Sequence, residues 1–145
     1  MSALIYALGR ICVPLVFIVS GYRKFMSIGG IAKTLADKNV PAPMQLEAWT
    51  GMPRYEVLGY AAATIEVLCG IMILIGFKAR FAAVVLFLFT IGTVVVSHDF
   101  WNMEGAAQIA NQTQALKNLA IMGALLMIAA AGSGSLSLDG RPRSA

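Results

Sequence analysis

Residues 57–76 read VLGYAAATIEVLCGIMILIG. This run has the roughly 20 mostly apolar residues that a helix needs to cross the hydrocarbon core of a bilayer. It lacks the period-two alternation of a barrel strand, so a helix is favoured. Its one charged residue, Glu66, is the tenth residue of the run. A charged side chain near the bilayer centre costs about 2.5 kcal/mol or more, so we expect Glu66 to face other helices and not lipid.

Three more apolar runs occur in the 145-residue chain. The composition is 59% hydrophobic and 12% charged, whereas soluble proteins average about 45–50% apolar and about 25% charged residues. We therefore predict one all-α membrane domain over residues 1–145, a four-transmembrane-helix bundle. The predicted spans are residues 3–21, 57–76, 81–99 and 113–131.

The segments outside the spans have two distinct patterns. In the connection 22–56, Ile28, Ile31 and Leu35 recur at helical spacing opposite charged residues, which predicts a short interfacial helix between the first two spans. The end of the chain, 132–145, is rich in glycine and serine, and we predict a flexible tail there.

A stripe of small residues surrounds Glu66 on its predicted helix: Gly59, Ala62, Ala63 and Gly70 lie at i−7, i−4, i−3 and i+4. Small residues allow a second helix to approach closely. Glu66 is therefore predicted to point into the bundle. The alternative is a protonated carboxyl group that serves packing alone.

One face of the first span carries a cation near each end. Its members are Arg10, Pro14, Phe17, Gly21 and Lys24. At 1.5 Å per residue, Arg10 and Glu66 would lie about 12 and 15 Å from the side that carries the termini. We therefore predict that Arg10 and Glu66 pair or share a hydrogen-bond network. The alternative is that Arg10 only anchors the helix in the interface.

A second polar cluster is predicted at the opposite face of the membrane. It consists of Lys24, His98, Gln114, Lys117 and Asn118, with Phe100 and Trp101 as aromatic neighbours. Such donors around an apolar bundle suit a planar, oxygen-bearing lipophilic ligand such as a quinone. They suit phospholipid head groups equally well. His98 could exchange protons near neutral pH. Glu66 and His98 are the candidate catalytic residues, and the reaction is left open.

Several other classes of protein are disfavoured. Cys12 and Cys69 form no CxxC motif, and one histidine is too few for the usual metal ligand sets, so we expect no metal site. No haem or nucleotide motif is present, and we expect no covalently bound cofactor. The net charge of +4 comes from basic residues beside apolar runs, which indicates contact with lipid head groups and not with nucleic acid.

The orientation signal is divided. Lys78 and Arg80 form an acid-free turn on the side of the termini, although more basic residues in total lie on the other side. We predict that the termini are cytoplasmic.

The chain resembles the DoxX family of small bacterial membrane proteins over nearly its whole length. The resemblance is carried by these motifs: Gly9-Arg10, 21–25 (GYRKF), 66–70 (EVLCG), 76–80 (GFKAR), 98–101 (HDFW), 117–120 (KNLA) and 134–139 (GSLSLD). The family resembles the small DoxD subunit of a thiosulfate:quinone oxidoreductase, and relatives are associated with oxidative-stress systems.

The resemblance implies a multi-pass protein of the bacterial inner membrane. We expect a membrane component of a quinone-linked oxidoreductase or oxidative-stress system that binds a small lipophilic ligand within the helix bundle. The expected ligand-binding residues are Arg10, Lys24, Glu66, His98, Trp101, Lys117 and Asn118. Any electrons would come from a partner protein or a diffusible quinone, and whether the chain is itself an enzyme stays open. The alternatives are a non-enzymatic scaffold that recruits an oxidoreductase, and a carrier of a small lipophilic metabolite, which would need to form a homo-oligomer.

Overall fold

The computed structural model describes residues 2–140. Its helices are α1 (Ser2–Met26), α2 (Ile28–Asp37), α3 (Gln45–Thr50), α4 (Arg54–Ile75), α5 (Ala79–Ser97) and α6 (Gly105–Ala131), with a single 3-10 turn at Phe100–Asn102. Four of them, α1, α4, α5 and α6, are long and apolar enough to cross a membrane. The predicted all-α, four-span architecture is confirmed.

The four long helices form a closed ring, in which α1 contacts α4 and α6, and α5 contacts α4 and α6. The buried centre combines large side chains, such as Ile73, Leu86 and Leu125, with the fully buried Ala82 and Ala83 of α5. Lipid is as apolar as these side chains, so their close packing and not the hydrophobic effect holds the helices together.

The helices differ in length from the predicted spans. Helix α1 continues to Met26, and α6 begins at Gly105, eight residues before the predicted start at residue 113. The additional first turns of α6 are polar but compatible with a helix. A span predicted from hydropathy alone therefore begins too late in the sequence. Helix α2 confirms a short helix between the first two spans. Helix α3 was not predicted.

The tail contacts the turn between α4 and α5. The backbone N–H groups of Leu138 and Asp139 donate to the carbonyl oxygens of Ile75 and Gly76. The Asp139 carboxylate also accepts a hydrogen bond from the backbone N–H of Lys78. Residues 132–140 are thus attached to the end of α4, the flexibility of the tail stays a prediction, and residues 141–145 lie outside the described part of the chain.

Candidate ligand-binding site

An ion pair between α1 and α4 occupies the interior of the bundle. The Nζ atom of Lys24 lies 2.9 Å from Oε1 and 2.7 Å from Oε2 of Glu66. Ser20 contributes a third group, since its hydroxyl donates to Glu66 Oε1 at 3.1 Å and accepts from Lys24 Nζ at 2.8 Å. The Glu66 side chain is only 4% exposed and that of Lys24 19%. The carboxylate therefore has two side-chain donors, Lys24 and Ser20.

Close contact of α1 with α4 makes this pair possible. A Cβ atom on Gly21 would lie 2.8 Å from the carbonyl oxygen of Ala63 and 3.1 Å from Cβ of Glu66. Only glycine lets the two backbones approach to this distance. Ser20 and Lys24 lie one turn apart on the same face of α1, so both reach the carboxylate across the contact.

Arg10 does not pair with Glu66, which corrects the prediction. Its guanidinium donates to the carbonyl oxygens of Ile73 at 2.5 Å, Leu74 at 2.8 Å and Leu136 at 2.7 Å. Because Ser20 is level with Glu66, Arg10 lies ten residues, or about 15 Å, away along α1. The depth estimate failed because the start of α1 extends past the end of α4, beside the folded tail.

The contacts of Arg10 indicate a structural role. Arg10 is 3% exposed and caps the last carbonyl groups of α4, where the helix dipole favours a cation. Its bond to Leu136 attaches the tail to the same point. The Nε atom is the one buried side-chain donor of the described residues that has no hydrogen-bond partner.

A cavity of about 310 Å³, here called the central cavity, brings the other predicted residues together. Its walls are Val16, Phe17, Ser20, Lys24, Glu66, Phe89, Thr90, Thr93, His98, Gln114, Lys117, Asn118 and Ile121. We predicted an inner pair separate from an outer cluster. The structure instead places Glu66 in the same cavity as Lys24, His98, Lys117 and Asn118.

Trp101 does not line the central cavity. Its side chain is 52% exposed and packs edge-on against Phe100, with ring centroids 5.2 Å apart. It lies in the 3-10 turn Phe100–Asn102 between α5 and α6. Trp101 is therefore not among the predicted ligand-binding residues that the central cavity brings together.

His98 is held by a residue that the sequence analysis missed. Its Nδ1 atom lies 3.2 Å from Oδ1 of Asn111. The Nδ2 group of Asn111 donates to the carbonyl oxygen of Ala107 at 3.0 Å, so Oδ1 is the atom that faces the imidazole. Nδ1 must then carry a proton, which leaves Nε2 of a neutral His98 as the acceptor. Nothing in the polar run 108–114 singles out Asn111 beforehand.

Ser20 was also missed, although its position four residues before Lys24 could have identified it. The other hydroxyl groups of the cavity, on Thr90 and Thr93, donate to the carbonyl oxygens of Leu86 at 2.6 Å and Phe89 at 3.1 Å. Their protons are therefore committed to the backbone of α5. The groups left to contact a ligand come mostly from α1, α4 and α6.

The charge of the central cavity is positive. Lys24 and Glu66 neutralise each other, and Lys117 has no salt-bridge partner among residues 2–140. The surrounding walls, including Phe17 and Phe89, are apolar. The cavity can therefore accept an apolar ring whose oxygen atoms face Lys117 and Asn118.

Comparison with known proteins identifies two matching family models. The DoxX model matches residues 5–99, and the SURF4 family model matches residues 57–144. The first match includes Lys24, Glu66 and His98. The overlap of the two, 57–99, contains α5 and all of α4 except its first three residues.

Individual relatives match over most of their length. The inner membrane protein YphA of Escherichia coli is 35% identical over 92% of this chain and 87% of its own. The membrane protein Rv3486 of Mycobacterium tuberculosis is 29% identical over 91% and 77%. The inner membrane protein YqjF of Escherichia coli is 28% identical over 90% and 85%. No solved structure gives a significant match.

Proposed function

Because this chain belongs to the DoxX family and is a multi-pass inner membrane protein, we propose that its central cavity binds a small lipophilic ligand with oxygen atoms, such as a quinone. The protein would serve as the ligand-binding component of a membrane oxidoreductase or oxidative-stress system. Its partner would be the oxidoreductase that supplies the electrons.

The observation that supports this proposal is the Lys24–Glu66 pair in the wall of a cavity. Charged groups within membrane-spanning helices are expensive and usually mark functional sites. The small residues around Glu66 would pack equally well against an apolar side chain, which often gives a fold at least as stable as a buried ion pair does. A pair that adjoins an open space has a further use, because a ligand can reach it.

The size and lining of the cavity suit a single ring. Its volume of about 310 Å³ lies at the low end of the range for small-molecule sites, roughly 300–1,000 Å³. Phe17, Phe89 and Ile121 offer apolar contact to a ring. Lys117 and Asn118 are donors that suit carbonyl oxygens.

Reduction of a quinone to a quinol consumes two electrons and two protons. We assign proton delivery to His98 and to the Lys24–Glu66 pair, in which the proton is on the Lys24 ammonium group and Glu66 is the carboxylate. With Nδ1 bonded to Asn111, His98 would exchange its proton at Nε2. The electrons are assigned to the partner.

Quinone binding to the purified protein in detergent tests this proposal. We expect Glu66→Gln to weaken binding by tenfold or more, because Lys24 loses its counter-ion and the polar wall rearranges. His98→Gln should weaken it less. Glu56→Gln is the matched control, since Glu56 lies in the first turn of the same helix and does not line the central cavity. Equal binding by wild type and Glu66→Gln would overturn the proposal.

A second candidate function is a scaffold that recruits a protein partner or a second copy of this chain. The exposure of α6 favours this function. Only 11% of the most apolar 18-residue stretch of α6 is buried inside the described structure, so most of this stretch is free to contact a partner. Purification in mild detergent distinguishes the two functions. A stoichiometric partner whose association tolerates Glu66→Gln would support the scaffold.

A further inference from the structure

A second cavity adjoins the central cavity. It has a volume of about 320 Å³ and lies between α2, α4 and α5. Lys24, Phe89 and Thr93 line both cavities. The two spaces therefore meet at the side chain that holds Glu66.

The lining of the second cavity is of a different kind. Its walls are Ile31, Leu35, Val40, Leu58, Ala62, Gly92 and Val96, together with Thr34, Ser97 and the three shared residues. The Thr34 hydroxyl donates to the carbonyl oxygen of Gly30 at 3.0 Å, so its proton is already bonded. Lys24 is the one charged residue of this lining, and its Nζ atom is bonded to Glu66. The second cavity offers van der Waals contact and almost no hydrogen bonds.

We propose that the ligand is an amphiphile whose polar ring lies in the central cavity and whose hydrocarbon tail passes Lys24, Phe89 and Thr93 into the second cavity, here called the tail chamber. This inference rests on the proposed function and adds the chemical class of the ligand. A polar cavity beside an apolar one, with three wall residues in common, matches a molecule with a polar and an apolar end. A water-soluble ligand would leave the tail chamber unused.

The outer wall of the tail chamber is attached to the rest of the bundle. Helix α2 packs against α4, where a Cβ atom on Gly59 would lie 3.5 Å from Cγ2 of Ile31. Beyond the end of α2, Nζ of Lys38 lies 2.8 Å from Oδ1 of Asp99, the residue that follows His98. These contacts hold α2 over the chamber, next to the end of the central cavity that carries His98.

The test compares two quinones with the same ring, one without a tail and one with a long alkyl tail. Gly92→Phe places a phenyl ring in the tail chamber, and a Cβ atom at Gly92 meets no atom within 4 Å. Gly123→Phe is the matched control, because Gly123 is an exposed helical glycine of α6 whose Cβ atom would also meet nothing within 4 Å. Both substitutions add the same side chain to a spanning helix.

We expect Gly92→Phe to weaken binding of the tailed quinone by about tenfold and to leave the tailless quinone within about twofold of wild type. Gly123→Phe should change neither affinity. Unchanged affinity of Gly92→Phe for the tailed quinone would overturn the tail assignment while the proposed function stands. If neither quinone binds wild type, or if both bind Glu66→Gln as tightly as they bind wild type, the proposed function fails and this inference fails with it.

A measurement on the wild-type protein covers the case in which Gly92→Phe does not fold. A quinone with a photoreactive group at the end of its tail is bound to the protein and cross-linked by illumination. Mass spectrometry then identifies the labelled residues. The tail assignment predicts labels on residues 31–40, in α2 and the segment that follows it, and on residues 92–97 of α5. An excess of tailed quinone without the photoreactive group should suppress this labelling. Labelling confined to α6, or labelling that an excess of phospholipid alone removes, would overturn it.

Discussion

Lys24 and Glu66 determine the character of the site, because among residues 2–140 each is the only salt-bridge partner of the other. Their side chains are 19% and 4% exposed. Removing one partner of a buried pair leaves a charge in a medium that cannot solvate it, whereas removing both does not. The pair should therefore show strong coupling in stability measurements.

We expect Lys24→Met and Glu66→Gln each to lower the free energy of unfolding by about 2–3 kcal/mol, somewhat less than for a fully buried pair because Lys24 retains some exposure. The double variant should lose clearly less than the sum of the two single losses. Unfolding in mixed detergent micelles measures all three. Losses that add to within about 0.5 kcal/mol would show that the two residues act independently.

Arg10 should act on the tail and not on the ligand. The guanidinium bonds α4 through one terminal nitrogen and the tail through the other, whereas a lysine would have to reach both from a single nitrogen. We expect Arg10→Lys to cost about 1.5–3 kcal/mol, the range for hydrogen bonds to charged groups. It should also accelerate amide hydrogen exchange at Leu138 and Asp139. Arg23→Lys, an exposed position of the same helix, is the control, and equal exchange in both variants would contradict this role.

At the scale of the helices, the α1–α4 contact controls the position of the ion pair. A Cβ atom on Gly70 would lie 2.7 Å from Cγ1 of Ile18 and 3.4 Å from the carbonyl oxygen of Pro14, which matches the close approach at Gly21. The two helices are thus in tight contact at two levels. Any widening of this contact would separate Lys24 from Glu66.

Gly21→Ala tests this contact. Helix propensity alone would favour alanine by about 1 kcal/mol, but the new Cβ atom would lie 2.7 Å from Cγ2 of Val67 and 2.8 Å from the Ala63 carbonyl oxygen. Overpacking costs about 1–3 kcal/mol, so the net result should be destabilising. Gly9→Ala, on the same helix with nothing within 4 Å, should be neutral or stabilising. Thermal unfolding that gave both variants the same sign would argue against a tight α1–α4 contact.

At the scale of the whole molecule, four spans place both ends of the chain on one side, together with Lys78 and Arg80. The central cavity lies toward the other side, where α1 and α5 end and α4 and α6 begin. If the positive turn is cytoplasmic, His98 and Lys117 lie toward the outer face of the membrane. Ligand entry would then be from that face or from the lipid beside it.

Alkaline phosphatase fusions test this orientation, because the enzyme is active only outside the cytoplasm. We expect a fusion after residue 145 to be inactive and a fusion after Thr50, which follows one span, to be active. The opposite pattern would reverse the orientation and place the central cavity toward the cytoplasm.

The sequence alone was sufficient to predict the four spans and the inward direction of Glu66. It also predicted that His98, Lys117 and Asn118 lie on one side of the membrane. Hydrophobic length, small-residue spacing and the alternation of antiparallel helices depend only on the order of residues. Tertiary structure was required for the partner of Glu66, because pairing depends on the register between α1 and α4, and the apolar runs do not specify where each helix ends. The same register moved Arg10 to the end of α4 and joined Lys24, Glu66 and His98 in one cavity.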